Sequence, residues 1–117
     1  MTHLTARDVL AMLTAAERGT YELDVAVTAL TSGRDGGEYF SYSRSLDAAL
    51  SLLPSGWFVQ IRGPNGDLGW FVEAAPEPFI ETADEKPLGV SAYAKTLAIA
   101  LCVAAIRARQ AIRAPRR

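Results

Sequence analysis

The chain has 117 residues, half of them apolar and 21% charged, a profile of one globular domain with one core that excludes a disordered polypeptide. One cysteine excludes an internal disulfide, and one histidine leaves little material for metal or triad chemistry. Formal net charge is −1, but thirteen acids and six bases lie up to Lys86 and six bases with no acid follow from Pro87. Such a split marks either a charged tail or a partner surface, and cations also suit the end of a last helix, where carbonyls lack partners.

Thr5 precedes ARDVLAMLTAAERG, where Val9, Leu10, Leu13 and Ala16 recur at helical spacing. A helix is expected there, with Thr5 as N-cap, Asp8 in the first turn and Gly19 as the stop. In YELDVAVTAL, Leu23, Val27 and Leu30 share a helical face, while Leu23, Val25 and Val27 also alternate as a strand would. We read this segment as a second helix. SGRDGGE, residues 32–38, is a turn or connector, because a phosphate-binding loop needs a strand before it and Lys-Ser/Thr after its last glycine.

Ser43 or Ser45 caps the next helix, and Asp47 sits where the positive dipole end favours an acid. Leu46, Ala49, Leu50 and Leu53 form a stripe that commits one helix face to the core, and Pro54 and Gly56 end the helix. Trp57, Val59 and Ile61 then alternate with Phe58, Gln60 and Arg62. Across Gly63-Pro64-Asn65-Gly66-Asp67, Leu68, Trp70 and Val72 alternate with Gly69, Phe71 and Glu73. Two alternating runs joined by such a turn predict a β-hairpin.

Pro76 and Pro78 confine FIET, residues 79–82, to a short edge strand, and ADEKPLG is a second loop. From Ser91 a helix is expected through YAKTLAIALCVAAIRARQAI, with Pro115 as its stop. Its apolar run Leu97–Ile106 is ten residues, about 15 Å as a helix and half of a bilayer core, so it reads as a buried helix and not a membrane span. MTHLTARDVL lacks the basic start and apolar centre of a secretory signal, and a cytoplasmic protein is expected. The expected fold is α+β, one domain over 1–117: a small antiparallel sheet of two or three strands built on the central hairpin. Helices pack on it as a sandwich, two of them N-terminal and one long, buried and C-terminal.

Three features stand together: Tyr42-Ser43-x-Ser45-Leu46-Asp47-Ala48-Ala49-Leu50-x-Leu52-x-Pro54-x-Gly56-Trp57, the hairpin after it, and Thr96-x3-Ala100-Leu101-Cys102-x-Ala104-Ala105-Ile106-Arg107-Ala108. In combination they resemble the phage ABA sandwich domain family of small phage and prophage proteins, over about residues 42–110. Residues 111–117 lie beyond it as a basic tail. Segment 75–90 departs from the pattern, being longer and more acidic. The resemblance implies a viral or prophage origin, residence in a bacterial cytoplasm and an α/β sandwich. It implies no reaction, cofactor or metal.

His3 lies near a terminus, so no Ser-His-Asp or Cys-His pair is expected, and Cys102 falls in the apolar run, where a thiolate is disfavoured. No catalytic, cofactor or metal residue is assigned. The expected activity is non-catalytic: a phage or prophage accessory protein that binds another protein, with an anti-CRISPR-like inhibitor of host defence as one concrete form. Candidate contacts are Phe58, Arg62, Phe71 and Glu73 on one hairpin face, and the acidic run Glu73, Glu77, Glu81, Asp84 and Glu85 as a DNA-like negative surface. The competing reading makes both phenylalanines core, in a three-layer sandwich with both sheet faces covered, and the acids an ordinary solvated loop. Arg107, Arg109, Arg113, Arg116 and Arg117 supply the alternative, phosphate contacts of a nucleic-acid-associated protein. A structural or assembly component of a phage is a third option.

Overall fold

The chain begins with a helix whose start is set by one residue pair. Thr5 Oγ1 accepts from the Asp8 N–H at 3.2 Å and Asp8 Oδ2 accepts from the Thr5 N–H at 3.0 Å, a reciprocal capping box. The computed structural model describes residues 5–32, 41–64, 66, 69–76 and 89–113. In chain order these form α1 (Ala6–Ala15), α2 (Tyr21–Ser32), α3 (Leu46–Ser51), β1 (Phe58–Arg62), β2 (Trp70–Ala75), β3 (Val90–Ala94) and α4 (Leu97–Arg113).

Helix α1 buries Val9 and Leu13, three and four residues being the spacing that stacks side chains on one face. The ambiguous segment after it is helical. Thr20 Oγ1 accepts from the Leu23 N–H at 3.2 Å at its start, and Leu23, Ala26 and Val27 are buried together. Ser45 caps α3 through the Ala48 N–H at 3.3 Å.

The apolar stripe of α3 is divided between core and solvent. Ala49 is buried and Leu53 half-buried, but Leu46 and Leu50 are 47% and 42% exposed. A helix of six residues has under two turns. It docks on α4 through its smallest stripe residue and through Leu52 just after it, which leaves the two leucines outside the contact.

The sheet is antiparallel in the order β1-β2-β3. Phe58 faces Ala75, Gln60 faces Glu73 and Arg62 faces Phe71 across the hairpin, while Phe71 faces Tyr93 and Glu73 faces Ser91 on the other side of β2. Within the connection Gly69 has φ +81°, and a Cβ there would collide with the carbonyl of Ala94. Only glycine allows both that conformation and that approach.

The third strand corrects the expected start of the last helix. Residues 90–94 are strand β3, not helix from Ser91, and α4 begins at Leu97, where Thr96 Oγ1 accepts from the Ile99 N–H at 3.2 Å. Alanines at 92 and 94 carry high helix propensity, but pairing with β2 outweighs it. The edge strand expected at FIET lies outside the described residues.

Helix α4 lies across β2 and β3 and also packs on α1 and α3. Ala98 through Ile106 are all buried, as an apolar run surrounded by four elements requires. The helix-side face of the sheet carries Val59, Val72, Ala74, Ala92 and Ala94, whose small side chains let α4 approach closely. The α+β class holds, as helices layered on a three-stranded antiparallel sheet. Among the described residues no helix covers the opposite face.

A candidate contact face on the sheet

Alternation within each strand sends Phe58, Gln60 and Arg62, Phe71 and Glu73, and Ser91 and Tyr93 to the face away from α4. The strand register sets Arg62, Phe71 and Tyr93 side by side at one end of this face, Gln60, Glu73 and Ser91 in its middle, and Phe58 opposite Ala75 at the other end. Phe71 and Tyr93 stack across β2 and β3 with ring centroids 4.5 Å apart and planes tilted by 38°. That is near the lower end of separations at which aromatic pairs attract. Arg62 Nε lies 3.9 Å from Glu73 Oε1, a loose and solvent-exposed ion pair. Phe58 is 47% exposed and Tyr93 49%, whereas Phe71 between the outer strands is half-buried. Phe58 is therefore solvent-exposed and Phe71 only partly so, and Phe58, Arg62, Phe71 and Glu73 share one face.

Tyr93 belongs to this patch and was not expected there. The alternation of Val90, Ala92 and Ala94 with Ser91 and Tyr93 carries the signal, but it is short and continuous with an alanine-rich helix pattern. Of the acidic run, only Glu73 is described; Glu77, Glu81, Asp84 and Glu85 lie outside the described residues.

The arginines of the nucleic-acid alternative are partly engaged in the fold. Arg107 Nη1 donates to the Ser91 carbonyl at 2.6 Å, tying α4 to β3. Arg109 Nε donates to the Leu52 carbonyl at 2.9 Å, taking up a carbonyl left open at the end of α3. Arg113 is the last residue of α4, and Arg116 and Arg117 lie outside the described residues.

A buried polar cluster behind the sheet could be mistaken for a reaction centre. Asp24, 1% exposed, accepts from the Ser43 N–H at 2.8 Å, from Ser43 Oγ at 2.6 Å and from Arg44 Nε at 2.8 Å, with Arg44 Nη2 at 2.7 Å. The Thr20 N–H donates to Ser43 Oγ at 3.1 Å. Its work is structural: one carboxylate of α2 satisfies the turn that leads into α3, and Gly19 lets that turn sit against it, since a Cβ there would meet the Ser43 carbonyl. Cys102 is sealed nearby, its Sγ 3.0 Å from the Tyr42 carbonyl. Burial, with the Asp24 charge adding to it, pushes its thiol up to about 12, far from the thiolate a nucleophile needs.

An open cleft of about 600 Å³ runs beside the start of α4, between Trp70, Leu46 and Leu97, with Arg44 and Lys95 also in its wall. Among the described residues its lining holds no carboxylate or imidazole to act as general base. Among the described residues no three His, Cys, Asp or Glu side chains come together as metal ligands. No described helix is long and apolar enough to cross a membrane. No family model matches this chain, nor does any curated protein or solved structure.

Proposed function

We propose that the protein is a non-catalytic binding module whose contact surface is the helix-free face of the sheet. One observation carries the reading: aromatics from β2 and β3 stack beside Arg62 of β1 on a face that no described helix covers. An exposed aromatic cluster flanked by an arginine is the composition of an interface centre, and burying it on a partner recovers free energy that the free protein forgoes. Arg62 and Glu73 at 3.9 Å offer one donor fork and one carboxylate to orient that partner. The sealed thiol and the enclosed carboxylate favour binding over chemistry, because neither can reach a substrate. The resemblance to small phage and prophage proteins supplies the setting, with a bacterial host protein as partner and inhibition of a host defence as the concrete form.

The test is capture from bacterial lysate by the wild type beside two variants, Phe71→Ser/Tyr93→Ser on the open face and Arg107→Gln/Arg109→Gln on the helix. A partner lost with the first pair and kept with the second supports the reading. Retention of every partner by the face variant sinks it. A salt-sensitive shift of duplex or single-stranded DNA that survives the face substitutions would favour the nucleic-acid alternative instead.

A further inference from the structure

Leu46 has the spacing of a core residue, yet it stands 47% exposed. It lines the open cleft of about 600 Å³ together with Trp70 and Leu97, and that volume falls in the range of small-molecule sites. Three parts of the fold converge there. Trp70, the first residue of β2, pairs with Ala94, so the chain leaving β3 passes beside it as Lys95, Thr96 and Leu97. Gly69 permits that approach, since a Cβ there would lie 3.0 Å from the Lys95 Cα. The turn into α3 supplies Arg44 and Leu46.

Arg44 enters the cleft as a fixed group. Its Nε and Nη2 both reach Asp24 Oδ2, at 2.8 and 2.7 Å, and Asp24 is 1% exposed and anchored on Ser43. This contact uses the side edge of the guanidinium. At the end edge, Nη1 makes no hydrogen bond among the described residues, and the side chain stays 48% exposed. A planar fork held in this way loses little freedom when it takes a two-oxygen acceptor.

Charge selects the acceptor. Arg44 and Lys95 bring two positive charges and Asp24 offsets one, leaving one positive charge among these groups. A carboxylate matches that charge, whereas a phosphate monoester carries nearly two negative charges and would leave a surplus beside Asp24. Trp70 selects the rest of the ligand, because aromatic pairs attract beyond what their buried area supplies.

We propose that this cleft binds a small aromatic carboxylate, with its ring against Trp70, Leu46 and Leu97 and its acid group on Arg44 and Lys95. The site is separate from the helix-free sheet face. Trp70 lies one residue out of phase with Phe71 and so belongs to the α4 side of β2. The proposal therefore stands or falls independently of the partner reading above.

The probe is 2-naphthoate, titrated to about 5 mM into the full chain labelled with ¹⁵N. It should shift the amides of residues 44–46 and 95–98 and the indole N–H of Trp70. A ligand of about thirteen non-hydrogen atoms should bind with a dissociation constant of about 0.1–1 mM. The uncharged 2-naphthamide, of the same shape, should bind at least tenfold more weakly. Lys95→Gln and Leu46→Gln alter exposed side chains and should each weaken 2-naphthoate at least threefold, with the remaining amide spectrum showing an intact fold. Arg44→Lys keeps a cation but removes the fork, and should weaken it at least tenfold. Phe71→Ser/Tyr93→Ser should bind as the wild type does. Absence of a saturable shift overturns the proposal, as do equal binding of the amide and shifts centred away from the cleft. Tighter binding of 2-naphthyl phosphate than of 2-naphthoate overturns the assignment of a carboxylate.

Discussion

The two faces of the sheet use the same three strands for opposite ends. Toward α4 they present Val72, Ala74, Ala92 and Ala94, all but sealed from solvent. Away from it, and only one residue along each strand, they present Phe58, Phe71 and Tyr93, with Tyr93 49% exposed. Small residues fill the middle of the inner face, with Trp70 at its end, while Phe58, Phe71 and Tyr93 stand on the outer one. A helix rich in alanine and a strand face rich in alanine fit closely, and rings such as Trp70 reach the core only at its margin. Rings held outside carry a cost unless something covers them, and this gives the open face its functional reading.

The contrast can be broken from either side. Val72→Asp puts an unpartnered carboxylate under α4 and should cost about 4 kcal/mol or more, leaving no cooperative unfolding transition. Asp24→Ala strands the buried Ser43 groups and frees Arg44; a loss of about 2–4 kcal/mol is expected in urea unfolding. Gly69→Ala forces a side chain against the Ala94 carbonyl and into a positive φ, for about 1–3 kcal/mol.

The sealed side is also sensitive to base. The Cys102 thiol titrates near 9.0 when exposed and is pushed up to about 12 when folded, so the unfolded chain loses its proton first. The contribution of Cys102 to stability therefore stays level below about pH 9 and falls toward pH 12, by up to about 1.4 kcal/mol per pH unit. Burial raises the Tyr42 hydroxyl in the same direction. Cys102→Ala should flatten that part of the curve. The smallest effect belongs to the open face: Tyr93→Ser should change stability by about 1 kcal/mol or less, the worth of one exposed aromatic pair, and yet abolish partner capture. A loss of stability as large as that of Val72→Asp would show that the open face is core after all.

The sequence was most readable where a local signal and its tertiary use coincide. Thr5 with Asp8, Ser45 before α3, and the alternation on either side of Gly63–Gly66 each act within a few residues, and each appears where expected. The candidate face was half legible. The hairpin placed Phe58, Arg62, Phe71 and Glu73 together, but Tyr93 joins them through a pairing across segment 75–90, which local pattern does not encode. Leu46 and Leu50 show the reverse failure. Their spacing is that of a core face, and the short α3 meets α4 through Ala49 instead.

Sequence by itself determined the helix of 6–15, the hairpin, the burial of 97–106 and the scarcity of groups for catalysis, and it left 21–32 between helix and strand. All of these follow from composition and from periodicities of two and 3.6, which act along the chain. Tertiary structure alone decided that 90–94 is a strand, that Asp24 is enclosed by Ser43 and Arg44, that Arg107 and Arg109 serve the fold, and that no described helix covers one sheet face. Each of these depends on which surfaces meet across dozens of residues. There, the energy of pairing and burial exceeds the few tenths of a kcal/mol by which local propensity prefers one conformation over another.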